Sequence, residues 1–393
     1  MSKDIVVLSA VRSAVGAFNG SLKDMEPAEL GGVVVKEAIA RAGVDPKQVT
    51  FATVGNCIPT ESRYPYVARV ATIQGGMSMD SVAFAVNRLC GSAMQAIVSS
   101  AQAIQMGDAD FALGGGVEVM SRGAYLLPAL RAGARMGDTK AIDAMVAVLT
   151  DPFGVGHMGI TAENLATKWG LTREEQDAFA VESQKRAAAA QADGRFKGQI
   201  VPITFQTKKG DVVFDTDEHL KPGTTMESLA KMKPAFKKDG TVTAGNASGI
   251  NDAAAFLVLA DAAKAAAAGY KPMARLVSYA ISGVPNEIMG EGPIPSSKLA
   301  LQKAGLTLDQ IDVIESNEAF AAQSLAVAKG LGLDPAKTNV NGGAIAIGHP
   351  VGATGGVIVT KLIHEMHRSG ARYGMATMCI GGGQGITTIY ERL

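Results

Sequence analysis

The sequence predicts an α/β fold made of two related βαβ-rich halves separated by a long insertion. Two observations carry this. Apolar stretches of four to six residues alternate along the chain with runs of helical apolar spacing. The plan of the first half also recurs in the second at one constant offset. Ala42-Gly43 with Gln48-Val49 corresponds to Ala304-Gly305 with Gln310-Ile311.

Taken in order, Ile5 to Leu8 is strand-like, and Leu30, Val33, Val34 and Ala38 share one face of a helix. The chain turns at Gly43-Val44-Asp45-Pro46 and extends from Val49 to Val54; Leu299 to Ile314 repeats this plan. A strand from Ala83 to Val86 leads through Cys90-Gly91-Ser92 into a helix carrying Met94, Ile97, Val98, Ala101 and Ile104. The next strand, Phe111 to Leu113, is expected to end in the knot Gly114-Gly115-Gly116. In the later half, a turn at Gly348 to Gly352 opens a helix with Val357, Ile358 and Leu362, and a strand from Tyr373 to Met378 ends in Gly381-Gly382-Gly383.

The stretch between the halves, about residues 118–248, has a different texture. It is richer in charge, carries Lys208-Lys209-Gly210-Asp211, and contains the helix-starting pattern Thr172-x-x-Glu175. An insertion this long reads as a lid or ligand-binding subdomain, or as an oligomer contact. The expected division is 1–117 plus 249–273, 118–248, and 274–393.

Composition excludes several classes. Lys plus Arg equals Asp plus Glu at 37 each, so no basic face points to nucleic acid. No apolar run is long enough to span a membrane. The N-terminus has neither a secretory nor a transit pattern, and Glu391-Arg392-Leu393 is not a peroxisomal address, so a cytoplasmic protein is expected. Three widely spaced cysteines, Cys57, Cys90 and Cys379, suit neither a disulfide framework nor a paired-cysteine zinc site. Glycine is abundant, at 46 residues, but clustered in knots between apolar runs, which suggests close backbone approach to a ligand.

Four places carry candidate chemistry. Cys90 lies between a strand and a helix, where orphan N–H groups and the helix dipole favour the thiolate and can bind an oxyanion. The plainer alternative is a small apolar residue filling a tight turn. His349, in a glycine-dense turn and fixed by Pro350, can take a proton from a thiol or donate to an oxyanion. Cys379 precedes a glycine run that lacks both P-loop and dinucleotide spacing, and is better suited to exposing a thiol beside free N–H groups. Asn317 either orients a water or carbonyl or serves as a helix cap. His364 and His367 have a spacing that can bind metal but more often marks a solvated helix face.

The blocks N-R-L-C-G-S (87–92), G-N-A-S-G (245–249), N-E-A-F-A (317–321), G-G-A-I-A-I-G-H-P-V-G (342–352) and C-I-G-G-G-Q-G (379–385) occur in order. Together they resemble the thiolase family, in its acetyl-CoA acetyltransferase or β-ketothiolase branch, from Val6 to the C-terminus. The resemblance implies a five-layered α-β-α-β-α core with an inserted loop domain that holds CoA. It implies thiolysis of acetoacetyl-CoA or another 3-ketoacyl-CoA by CoA, and the reverse Claisen condensation of acetyl-CoA. By the same resemblance Cys90 is the acyl acceptor, His349 its base, and Cys379 the acid/base for the α-proton. Asn317 with His349 forms one oxyanion hole, and the N–H groups of Cys90 and Gly381 form the other.

His157, Met158, Lys221, Ser248, Ala319 and Phe320 are expected to line the CoA channel. No metal or redox cofactor is implied, and relatives suggest a homotetramer, a dimer of dimers. Lys221 stands where some relatives have arginine, which removes a planar fork near the nucleotide. Ala93 and Val119 also depart from the common pattern beside the acyl site, while Cys57 reads as buried packing. Three competing readings are a decarboxylating condensing enzyme, a cysteine hydrolase and a scaffold with a decayed site. The first usually lacks a cysteine at the place of Cys379, and the second leaves Cys379 without a role.

Overall fold

The computed structural model describes residues 3–207 and 210–393; Lys208 and Lys209 of the predicted basic turn lie outside the described residues. The first half begins with β1 (Ile5–Ser13), followed by α1 (Pro27–Ala42). Proline at its first turn suits the start of α1, and Leu30, Val34, Val35, Ala38 and Ile39 form its buried stripe. Val33, expected on that face, is instead 38% exposed, because the stripe drifts towards Val35 along the 3.6-residue turn. Gly43 ends the helix in the left-handed region at φ 69°, and Gly305 ends its counterpart at φ 65°, so the repeat extends to the caps.

The first half continues with β2 (Val49–Gly55), α2 (Val67–Gln74), β3 (Val82–Val86), α3 (Ser92–Met106) and β4 (Phe111–Val119). The insertion contributes α4 (Met158–Trp169) and α5 (Arg173–Ala192), the latter opened by the predicted Thr172–Glu175 capping box. Then come β5 (Asn251–Asp261), β6 (Ala274–Gly283), α6 (Pro293–Ala304), β7 (Val313–Ser316), α7 (Ala321–Leu331), α8 (Thr354–Ser369), β8 (Tyr373–Ile380) and β9 (Gln384–Arg392).

These strands pair in the order β7-β8-β9-β6-β1-β5-β4-β2-β3. Parallel pairs lie at both ends of the path and antiparallel pairs in the middle. The two halves therefore mirror each other: β1, β2, β4 and β5 correspond to β6, β7, β8 and β9. They join where β1 meets β6 through Val6–Arg275 and Val7–Ala274.

Five layers result. α1 and α2 cover one half-sheet, α6 with α7 beside it covers the other, and α3 and α8 pack against each other between the two. The central layer is apolar, with Met94, Ile97, Val98, Ala101 and Ile104 of α3 facing Ile358, Leu362 and Met366 of α8. Both helices enter it at a glycine-bearing loop, so Cys90 and His349 arrive at the same end of the core.

One strand departs from expectation. Gly114, Gly115 and Gly116 do not end the third strand of the first half; β4 runs straight through them to Val119. A Cβ on Gly114 would lie 2.7 Å from the Ile97 Cα, one on Gly115 2.2 Å from the Ala255 carbonyl oxygen, and one on Gly116 2.3 Å from the Gly352 carbonyl oxygen. The glycines thus serve close packing of α3, β5 and the 348–352 loop on the strand rather than a turn.

Among the described residues, apolar side chains cluster uncovered on the sheet edge and on an arm of the insertion. The edge strand β3 presents Val82 and Phe84, with Met79 and Tyr66 nearby. A separate arm within the insertion exposes Tyr125, Leu126, Leu127, Leu130, Ile142 and Val146. Among the described residues, no helix is long and apolar enough to cross a membrane.

Candidate active site

A cavity of about 400 Å³ opens between the insertion and the ends of the central helices, and Cys90 and His349 both line it. The thiol is set by a short 3₁₀ turn, Leu89–Gly91, that precedes α3. Leu89 adopts φ 48°, a left-handed conformation costly for a residue with a branched side chain, by about 1–2 kcal/mol. Polar contacts hold it there. Asn87 Oδ1 accepts from the Leu89 N–H at 3.0 Å, and the Ser92 hydroxyl accepts from the Arg88 N–H and donates to the Leu89 carbonyl. A Cβ on Gly91 would sit 2.5 Å from Ile380 Cδ1, so this glycine lets the nucleophile turn lie directly on the strand carrying Cys379.

His349 is positioned by a different device. Gly348 has φ 116°, and a Cβ there would meet the Asn251 side chain at 2.5 Å. Asn251 Oδ1 accepts from the His349 N–H at 2.9 Å, and its amide donates to the Gly16 carbonyl. The imidazole Nδ1 lies 2.7 Å from Thr354 Oγ1, whose single proton goes to the Pro350 carbonyl at 2.8 Å. With that proton on the carbonyl the hydroxyl accepts from the ring, an arrangement that carries the ring proton on Nδ1 and leaves Nε2 as the free base.

Cys379 stands near the end of β8 and is fully buried, clustered with Met158, Met289, Ala319 and Phe320 behind the cavity wall. The glycine run does not expose this thiol, contrary to expectation. Asn317 follows β7, the parallel neighbour of β8, and its N–H donates to the Thr377 carbonyl at 3.0 Å. It caps no helix: α7 begins at Ala321 with Phe320 as its cap. Both side-chain amide atoms of Asn317 are buried without a protein partner, as befits an amide directed at a ligand or water. The next residue, Glu318, accepts from Ser183 Oγ, Asn339 Nδ2 and the Ile345 N–H, joining this loop to the one that carries His349. Lys361 adds a second tie, bonding Glu315 at 2.8 Å and the Gly342 carbonyl at 2.6 Å.

Burial governs the protonation states. It pushes the Cys90 thiol up to about 11, although N–H groups of Gly381 and of Cys90 itself bond the sulfur and oppose the rise. The expectation that the helix terminus favours a thiolate is thus overturned: α3 starts two residues later, and desolvation outweighs the dipole. Cys379 is raised further, by burial and then by the neighbouring Cys90. Burial lowers His349 to about 4. The resting centre holds two thiols and a neutral imidazole. In the absence of substrate, alkylation of Cys90 by iodoacetamide is expected to keep accelerating with pH beyond 9.0. A rate that levels off below pH 8, measured by intact mass, would contradict a buried neutral thiol.

His157, Met158, Lys221, Ser248, Ala319 and Phe320 all line the same cavity. His157 also caps α4, its Nδ1 accepting from the Gly159 N–H, and its ring stacks on Phe236 at 4.7 Å. Ser248 and Ala319 are linked by a backbone bond, and Asn246 ties their loop to Asp177 of α5. Residues missed from sequence share the wall: Met120, Leu149, His219, Phe236 and Ile250. His219 lies over Gly249, and burial with Lys221 nearby lowers it to about 4.

Cys57 proves to be more than packing, since its sulfur lies 3.1 Å from Ser92 Oγ and 3.3 Å from the Leu89 carbonyl oxygen. His364 and His367 each bond a backbone carbonyl, of Ala10 and Met273, and no cluster suited to a metal occurs among the described residues. Glu118 and Asn251 also escaped notice. Their signal was a polar residue inside or at the start of an apolar strand.

Comparison with known proteins covers the chain from end to end. The thiolase N-terminal domain model matches residues 5–263 and the thiolase C-terminal domain model residues 270–392. The β-ketothiolase BktB of Cupriavidus necator is 55% identical over 394 residues, covering all of both chains. An acetyl-CoA acetyltransferase of Syntrophomonas wolfei is 51% identical over 398 residues, again covering all of both. Among solved structures, the Bacillus anthracis acetyl-CoA acetyltransferase superposes with a TM-score of 0.97 at 44% identity, covering 100% of this chain and 99% of that one. Human mitochondrial 3-ketoacyl-CoA thiolase in complex with CoA gives 0.96 at 42%, covering 100% and 98%. Matched from end to end in sequence and in structure, the chain belongs to the thiolase family and has its fold.

Proposed function

We propose that the protein cleaves acetoacetyl-CoA and other 3-ketoacyl-CoA esters with CoA, and condenses acetyl-CoA with acyl-CoA in reverse, through an acyl group carried on Cys90. The observation that supports this most is the convergence of Cys90 and His349 from the two halves at one cavity, with Cys379 buried directly behind its wall. Nε2 takes the Cys90 proton as the sulfur attacks the ketone carbonyl, and the N–H groups of Cys90 and Gly381 that bond the thiol at rest hold the developing oxyanion. Carbon–carbon cleavage releases an acetyl-CoA enolate, held by Asn317 through a water and by His349, and Cys379 delivers the α-proton. CoA then takes the acyl group from Cys90.

The CoA moiety lies along His157, Met158, Lys221, Ser248, Ala319 and Phe320, so residues 118–248 act as the CoA-holding domain between core halves 1–117 plus 249–273 and 274–393. A cytoplasmic setting suits the chemistry, because both working cysteines must stay reduced. The test is incubation with acetoacetyl-CoA, with and without added CoA. Substrate loss that depends on CoA and yields acetyl-CoA supports thiolysis; loss independent of CoA means hydrolysis and sinks the reading.

The two uncovered apolar surfaces support a homotetramer built as a dimer of dimers, one contact using the β3 edge and the other the 125–146 arm. Leu126→Asp together with Leu130→Asp is expected to halve the sedimenting mass, from tetramer to dimer. An unchanged mass in analytical ultracentrifugation would remove the arm from the interface.

A further inference from the structure

Glu118 is fully buried at the end of β4 and forms no ion pair among the described residues. Its carboxylate instead accepts four N–H bonds. Oε1 receives Asn56 Nδ2 at 3.0 Å and the Ile58 N–H at 3.2 Å, while Oε2 receives the Cys57 N–H at 3.0 Å and the Gly352 N–H at 2.9 Å. Three of these donors belong to the 56–58 loop of the first half; the fourth follows His349 in the second. A Cβ on Gly352 would lie 2.4 Å from Oε2, so the His349 loop closes directly onto the carboxylate. From the 56–58 loop, the Cys57 sulfur reaches Ser92 Oγ and the Leu89 carbonyl, the groups that hold the Cys90 turn in its left-handed conformation.

We propose that Glu118 is a positioning residue that locks the Cys90 turn, through Cys57, and the His349 loop into one geometry across the two halves. The inference rests on the roles of Cys90 and His349 given above. An anion held by N–H dipoles alone is sensitive to its partners. Burial raises the carboxyl to about 7, with the Ile58, Cys57 and Gly352 amides opposing it. Burial raises Cys90, Cys57 and Tyr64, and the Glu118 charge adds to the rise in each. Cys379 also adjoins Cys90, and His349 lines the same cavity.

Glu118→Gln keeps the shape but, in either orientation, turns an NH₂ group against two donors. Glu118→Asp keeps the charge but is one methylene too short to hold both loops. Both variants, assayed as full-length enzyme at pH 8, are expected to lose about 100-fold in kcat for thiolysis with KM for CoA nearly unchanged. Iodoacetamide should alkylate Cys90 several-fold faster in Glu118→Gln, because the turn that buries the thiol loosens and the carboxylate charge is gone. If Glu118→Gln fails to fold, the kcat and KM of Glu118→Asp decide alone. A kcat within a few-fold of wild type, or activity lost only in proportion to the unfolded fraction, overturns the proposal; so does an unchanged alkylation rate in a folded Glu118→Gln. Wild-type label mapping to a residue other than Cys90 overturns the functional reading, and this inference with it.

Discussion

Cys90→Ala is expected to abolish acyl-enzyme formation and to lower CoA-dependent cleavage of acetoacetyl-CoA by about 10⁴-fold or more. The change removes one sulfur from a cavity wall and leaves the supports of the turn in place, since Asn87, Ser92 and Cys57 act on Leu89 rather than on residue 90. Gly91 still packs against Ile380, so the variant should fold. Cys57 does not replace the lost thiol, because burial and Glu118 hold it well above the usual range. Intact-protein mass after incubation with acetyl-CoA reads the result. An acetyl adduct on Cys90→Ala comparable to wild type would remove Cys90 from the mechanism.

Cys379→Ala should separate the two half-reactions. Acyl transfer to Cys90 needs His349 and the N–H groups at the thiol, none of which changes, so acyl-Cys90 should still accumulate. Proton exchange at the α-carbon of acetyl-CoA in heavy water should fall by about 10³-fold, because its acid/base is gone. The substitution leaves a small void among Met158, Met289, Ala319 and Phe320, at about 1 kcal/mol, too little to confuse with loss of fold. Acylation of both cysteines to the same extent in the wild type would contradict this division of labour.

Much of this arrangement was legible in the sequence. The Ala42-Gly43 and Ala304-Gly305 repeat, read as a turn leading into an extended run, proves to be a pair of helix caps, each followed by a 3₁₀ turn and a parallel strand. The Cys90 and His349 blocks do stand ahead of the two central helices, and the six residues expected along a CoA channel line one cavity. What escaped depends on partners distant in sequence. Gly114 to Gly116 look like a turn because glycine usually makes one, and only Ile97, Ala255 and Gly352 reveal why they stay extended. The Cys90 thiol was expected to ionise because the helix is visible locally and desolvation is not. Glu118 and Asn251 are polar residues inside or at the start of apolar strands. Their purpose appears only when loops more than a hundred positions away, or on the opposite half, are folded against them.

The Thr354 hydroxyl has a consequence for how protons circulate. In the tautomer in which its own hydrogen lies on the Pro350 carbonyl, the hydroxyl receives the Nδ1 proton of His349 and holds it away from the substrate side. A proton taken up by the ring enters at Nε2 and has to leave by the same door. The histidine is thus a store with a single port. Whatever it collects from one sulfur it hands back on the cavity face, to the next leaving or arriving thiol, without leakage through the core.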